Sequence, residues 1–271
     1  MKKDDFSSLQ PGPVAILINE DDVELHGAIA HARKIGFRNI CVATASPVSI
    51  KDAIVLSYDP GQGAYSFLNT VIPKLSGRWV YWGYNAEYLY YPFCETRTID
   101  DALQFVSEER RDSVFCAVVD LYAEDLKASP QGLDVDKALF DAVGYFQRDC
   151  YDGPHRVERQ IHIHGGLKWR FAEHVPWARQ PIERISLFRA QPGVSFNEHG
   201  RLSEPELNTV SPAWHNSMSC AVASFRAAKT LMTNPNSAEA IDTLSWSGSR
   251  PFNWTSTQLM EAGLMEPGQW F

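Results

Sequence analysis

Two polar clusters in this chain stand where an apolar strand ends, and their residue types suit ion or phosphate chemistry. The run GRWVYWGYNAEYLYYPF, residues 77–93, is a strongly aromatic strand that delivers Asn85 and Glu87 among its rings. Earlier, PVAILIN runs straight into Glu20, Asp21 and Asp22. If both segments are strands of one open α/β sheet, their polar ends converge on the edge where such sheets bind ligands. Carboxylate and amide oxygens gathered there suit a hard divalent cation, Mg²⁺ or Mn²⁺, which would hold a diphosphate that the acids alone repel. Both clusters also have plain structural uses. Asn85 and Glu87 are equally residues where a strand meets solvent, and Asn19 and Glu20 equally a helix cap that satisfies free N–H groups and favours the dipole.

The second half of the chain holds two further groups. Alternation in IHIHGG places His162 and His164 on one strand face, a pair that would suit a transition metal or simply face solvent. Between Arg148 and Arg201 there are nine basic and six acidic residues, against a net charge of -8 for the whole. Arg156, Arg159, Lys168, Arg170 and Arg179 fall there, and the guanidinium forks of the four arginines, with the Lys168 ammonium, would match a diphosphate. If GGLKWRF is extended, Lys168 and Arg170 share one face. The aromatic set Trp79, Tyr81, Trp82, Tyr84, Tyr88, Tyr90, Tyr91 and Phe93 reads as core and rim packing or as a surface for sugar and base rings.

Periodicity supplies the elements that would position these groups. The continuous apolar run from Val14 to Ile18 predicts a strand covered on both faces. Leu25, Ala28, Ile29 and Ala32 predict a helix that Gly36 ends, and NICVA predicts the next strand, so a right-handed βαβ unit makes the two strands parallel. Ile54 to Ser57 predicts a third strand, GAYSFLNTVIPKL a helix, and GRWVYW a fourth strand. Thr98 and Asp101 form a capping box before Ile99, Ala102, Leu103 and Val106, and SVFCAVVDLY predicts another buried strand. From Ala123 onward, prolines break the pattern, as expected of binding surface more than core. Met218, Ala221, Val222, Phe225 and Met232 suggest one face of a helix, and QLMEAGLMEPGQWF a last helix with a docked aromatic end. The alternation predicts an α/β sheet with helices on both sides.

Composition narrows the function. A chain of 271 residues with 44% apolar content can bury one large core. The negative balance excludes a general nucleic-acid surface, and no run is long enough to span a bilayer. Five scattered cysteines without a C-x-x-C pair suit reduced thiols, and the first dozen residues read as neither signal peptide nor anchor, so the expectation is cytoplasmic.

With NE directly after the first strand, an amphipathic helix ending HARKIGFRNICV, and an acidic motif after an aromatic strand, the sequence resembles family 2 glycosyltransferases of the GT-A fold, in their bacterial branch. The second-half stretch GGLKWRFAEHVPWARQPIERISLFR resembles that branch's GG-x-x-x-R region, and PAWHNS its late histidine. The resemblance implies a Rossmann-like, mostly parallel sheet flanked by helices with a loop-rich C-terminal half. It implies a single domain over 1–271, with a nucleotide-binding half at 14–125, an acceptor half at 126–232 and a packing tail at 233–271. It implies a hexosyltransferase that moves a sugar, by inversion, from a nucleotide-diphosphate donor to a glycan or other hydroxyl acceptor, assisted by Mn²⁺ or Mg²⁺. On this reading the family's D-x-D is replaced by Asn85-Ala86-Glu87, with Glu87 at the second aspartate or its neighbour. Asn85, Glu87 and His215 would hold the metal; Asn19, Glu20, Lys168 and Arg170 the donor; and Glu173 or His174 would be the base. Where the family carries D-x-S-x-D, only Thr44, Ser46 and Ser49 stand. Two rivals remain: a non-catalytic nucleotide- or glycan-binding descendant, and a metal-dependent hydrolase built on His162, His164 and His215.

Overall fold

The run that opens the sequence pattern, Val14–Asn19, is strand β1, buried along its whole length in the computed structural model, which describes residues 6–46, 50–51, 53–210 and 217–270. Helix α1 (Leu25–Lys34) turns Leu25, Ala28, Ile29 and Ala32 inward and leads to β2 (Asn39–Thr44), parallel to β1. Then follow β3 (Ile54–Ser57), α2 (Gly63–Val71), β4 (Trp79–Tyr84), β5 (Glu87–Tyr90), α3 (Ile99–Glu108) and β6 (Ser113–Tyr122). The capping box of α3 is formed as predicted, Thr98 and Asp101 each bonding the other's backbone N–H. The second half supplies β7 (Leu139–Asp141), the hairpin β8 (Phe146–Asp152) and β9 (His155–His164), α4 (Gly166–Arg170) and β10 (Glu183–Arg189). It closes with β11 (Cys220–Ser224), α5 (Arg226–Thr233), α6 (Pro235–Ala238), β12 (Ser249–Pro251) and α7 (Ser256–Glu261).

The main sheet runs β12-β7-β6-β10-β4-β1-β2-β3, and its β3-β2-β1-β4 portion is wholly parallel. Strand β10 lies antiparallel between β4 and β6, while β11 pairs parallel with β6 and antiparallel with β5. Helices cover both faces. The odd positions of β1 pack with α1, α3 and α7 in one core, and the even positions with α2 and the segment from Ala190 to Leu207 in another. A third, smaller core joins α4 and α5 to Leu139, Ile241 and Leu244. This mixed α/β architecture, with a mostly parallel centre flanked by helices, is compatible with a Rossmann-like fold. The two halves of the chain share one sheet, because β10 and β11 insert beside strands of the first half.

Three local expectations are corrected. The apolar face from Met218 to Met232 is the buried strand β11 followed by α5, since a short all-apolar run satisfies either period until its neighbours are known. GGLKWRF is not extended: Gly166–Arg170 is α4, and residues two apart on a helix do not share a face. Asn19 and Glu20 do not cap α1, whose N-cap is Glu24; Asn19 instead accepts from the Asp22 N–H at 3.0 Å, closing the turn before the helix.

Candidate functional site

The register of three strands aligns the residues of the candidate site. Ser224, the last residue of β11, lies opposite Asp120 on β6 and Glu87 on β5. The row borders the carboxyl ends of β1, β4 and β6, where an α/β sheet offers its binding crevice.

Glu87 reaches the row through a turn. Asn85 bonds its N–H to the Ile18 carbonyl at 2.9 Å, and Ala86 takes φ 57°, a left-handed conformation uncommon for a residue with a side chain. The chain thus reverses within two residues and sends Glu87 back into the protein, 2% exposed. Its Oε2 accepts from Arg184 Nη2 at 2.6 Å and the Tyr84 N–H at 2.9 Å; its Oε1 accepts from Arg184 Nη1 at 3.2 Å and Ser224 Oγ at 3.1 Å. The Arg184 guanidinium lies over the Trp82 ring, 4.5 Å from its centroid. Burial alone would raise the Glu87 pKa, but the charge and hydrogen bonds of Arg184 outweigh it and hold the carboxyl below its ordinary value.

These contacts decide the fit of a divalent cation. Both oxygens of Glu87 are saturated, two donors each. Asn85 Oδ1 accepts from the Glu20 N–H at 2.9 Å, and its Nδ2 donates to Asp21 Oδ1 at 2.5 Å and the Val23 carbonyl at 2.8 Å. Asn19 is likewise engaged, with Nδ2 on Asp22 Oδ1 at 2.5 Å and Thr44 Oγ1 at 3.3 Å. Glu20 holds Arg226 through two bonds of 2.7 and 2.9 Å, and Asp21 holds Lys229 at 2.6 Å. Asn85 and Glu87 therefore do not fit as ligands of Mg²⁺ or Mn²⁺, since the positive charge that Glu87 needs is supplied by a guanidinium. No cluster of three or more His, Cys, Asp and Glu suited to a metal occurs among the described residues. His215, the third expected ligand, lies outside the described residues, as does Ser49.

Cationic and aromatic groups stand beside these acids at the strand ends. Arg226, at the start of α5, stacks on Tyr84 with 3.7 Å between guanidinium and ring centroid, and its side chain is 40% exposed. Lys168 has its Nζ 3.3 Å from the Pro181 carbonyl and lies within electrostatic reach of Asp120, Arg184, Arg226 and Glu87. Burial pulls its pKa down, opposed by the charge of Asp120. The sequence expectation for Lys168 thus places it among these groups. Arg170 is elsewhere: it bonds Asp141 at 2.8 Å and the Leu244 carbonyl at 2.6 Å, packed against Tyr122, Phe171 and Trp246. That network ties β7 to α4 and leaves no free fork for a phosphate.

Asp120 is the group that sequence reading passed over. It is 2% exposed, its Oδ2 accepts weakly from the Lys168 N–H at 3.4 Å, and its Oδ1 has no partner. Burial pushes its pKa up to about 6, against the Lys168 charge and backbone bond that pull it down. Gly166 makes room for it, and Gly165 for Tyr145. A Cβ at Gly166, which has φ 64°, would meet Asp120 Oδ2 at 2.7 Å, and one at Gly165 would meet the Tyr145 ring at 2.2 Å. Tyr145 Oη, also buried and without a partner, feels the charge of Asp120. Two unsatisfied polar atoms in one neighbourhood are costly unless something binds them.

Glu173 and His174 lie in a single 3-10 turn after α4, where Glu173 is 66% exposed and 4.0 Å from His174. Glu173 thus lacks the burial that Asp120 has. His162 and His164 do share a strand face, with ring centroids 6.4 Å apart. They have different partners, however: His162 Nδ1 bonds Glu183 at 2.6 Å, while His164 is stacked between aromatic rings.

The fold and these residues define an α/β protein with a buried carboxylate and several cations at the carboxyl edge of its sheet. No protein-family model matches the chain, and no curated protein matches it. The missed groups had a sequence signal. Asp120 interrupts CAVVDLY as Glu87 interrupts its aromatic run, and an acid inside an apolar strand is the same anomaly in both.

Proposed function

We propose that the chain is a glycosyltransferase that binds a nucleotide-diphosphate sugar at the carboxyl edge of its sheet and meets the diphosphate with guanidinium and ammonium groups instead of a divalent cation. The observation that carries this reading is Asp120, a buried carboxylate with a free oxygen and a raised pKa, beside Lys168. As base, it would take the proton of an acceptor hydroxyl while that oxygen bonds to the anomeric carbon and the bond from that carbon to the diphosphate breaks, an inverting displacement. Arg226 is exposed enough to exchange its bidentate partner Glu20 for a phosphate, and with Lys168 it would stabilise charge developing on the leaving diphosphate. Glu87 then serves as the neighbour of the lost metal ligand, holding Arg184 in place.

A second reading, a non-catalytic nucleotide- or glycan-binding descendant, is favoured by the same fully engaged Asn85 and Glu87. One experiment separates them: incubation with UDP- and GDP-sugars in EDTA, read first as thermal shift and then as nucleotide diphosphate release. Stabilisation with release that is lost in Asp120→Asn supports the transferase; stabilisation without release supports the binder. No stabilisation by any nucleotide removes both. Five buried cysteines, none of them in a disulfide, support a reducing, cytoplasmic location, and among the described residues no helix is long and apolar enough to cross a membrane.

A further inference from the structure

We infer that Tyr145 is a second acceptor-binding residue, whose hydroxyl and Asp120 Oδ1 together hold one hydroxyl group of the acceptor; this role rests on the transferase reading. Among the described residues neither atom has a hydrogen-bond partner, although both are buried, and no bond runs between them. A tyrosine hydroxyl buried in this way costs stability that a phenylalanine would not, so the fold alone gives no reason for it.

The two side chains press on one dipeptide. A Cβ at Gly165 would stand 2.2 Å from the Tyr145 ring and one at Gly166 2.7 Å from Asp120 Oδ2, and the α-carbons of consecutive residues are only about 3.8 Å apart. Of the charges that act on Tyr145, that of Asp120 is the strongest, ahead of Asp141 on β7. Asp141 is itself engaged: it accepts from Arg170 Nε at 2.8 Å, from Trp246 Nε1 at 2.7 Å and from the Tyr122 hydroxyl, which also meets Ser249 Oγ at 2.7 Å. These neighbours on β6 and β7 are bonded to one another, which leaves the pair over the glycines to a ligand.

A hydroxyl group suits this pair by its own chemistry. Burial, then the charge of Asp120, hold the Tyr145 pKa well above its ordinary value, so the phenol keeps its proton and needs an acceptor. Asp120 Oδ1, as a carboxylate oxygen, needs a donor. A hydroxyl is both in one atom, whereas an ammonium or an amide N–H would leave the phenol proton without an acceptor. In the transfer the acceptor's proton passes to Asp120 Oδ1, and its oxygen bonds to the anomeric carbon as the bond to the diphosphate breaks. Tyr145 stays protonated, its hydrogen bond holding that oxygen in place and steadying the charge that develops on it.

The test compares Tyr145→Phe with the parent in melting and in nucleotide diphosphate release from UDP- and GDP-sugars in EDTA. Water is the acceptor there, and it offers the same donor and acceptor as a hydroxyl group. Tyr145→Phe should melt at or above the parent temperature, keep the donor KM and the thermal shift with nucleotide diphosphates, and release about tenfold more slowly at saturation. Joined to Asp120→Asn, it should slow release no further than Asp120→Asn alone, because both act on one hydroxyl group. A lower melting temperature would mean that the Tyr145 hydroxyl bonds the protein or a structural water, and overturns the inference. Unchanged release in Tyr145→Phe overturns it too, as do additive losses in the double mutant. Those outcomes leave the transferase reading standing, whereas a parent that releases nothing from any of these sugars removes both.

Discussion

Replacing Glu87 by glutamine tests whether this residue is half of a buried ion pair or a metal ligand. Glutamine keeps the shape but removes the charge, and its NH₂ would face a guanidinium that can only donate. Arg184, with its side chain 11% exposed, would be left with a buried charge and no counter-ion. Breaking one partner of such a pair costs about 3 kcal/mol or more. For a chain of this size each kcal/mol lowers the melting temperature by ~2 °C, so Glu87→Gln should melt about 6 °C below the parent at pH 7. The pH dependence has a definite sign. Because the folded pKa of Glu87 is depressed below its ordinary 4.5, its contribution is present at neutral pH and is lost as the pH falls through the folded value, so the deficit should shrink in acid. The assay is calorimetric melting from pH 7 to pH 3, with a double-mutant cycle against Arg184→Met. In the double mutant no lone charge remains, so its loss should be smaller than the sum of the two single losses. An unchanged melting temperature in Glu87→Gln, or stabilisation of the parent by Mn²⁺ that this mutation abolishes, would refute the ion-pair account.

Other measurements address the remaining groups. Asp120, with a pKa near 6 against 3.8 for an ordinary aspartate, costs stability increasingly as the pH rises from about 4 through about 6. Asp120→Asn should therefore be more stable than the parent above pH 7, by up to about 3 kcal/mol, with the gain vanishing near pH 4 in denaturant titrations. The same change should lower turnover by about a hundredfold or more while nucleotide binding persists. Gly166→Ala should destabilise by about 2 kcal/mol, since it combines a left-handed φ with a 2.7 Å approach to Asp120; a neutral result by melting would mean that the carboxylate can move aside. Arg226→Ala should cost under about 1 kcal/mol, because its ion pair with Glu20 is partly exposed, yet abolish thermal stabilisation by nucleotide diphosphate.

Much of the framework could be read from the chain alone, because the interactions that specify it are local. The buried run Val14 to Ile18, the helical spacing of α1, and the Thr98–Asp101 capping box each carry their own signal within a few residues. So does the anomaly of an acid inside an aromatic strand, which marked Glu87 before any partner was known. The partners were not legible. Arg184 lies 97 positions from Glu87, and Arg226 lies 206 from Glu20; only the insertion of β10 between β4 and β6, and of β11 beside β5, brings them together. A carboxylate's role depends on which charge it meets, so tertiary pairing turned an expected metal ligand into half of an ion pair. The same holds for Lys168 and Arg170. Their spacing would put them on one face of a strand, but α4 sends one toward Asp120 and the other to Asp141, because the glycines before them let the chain turn where a side chain would strike its neighbours.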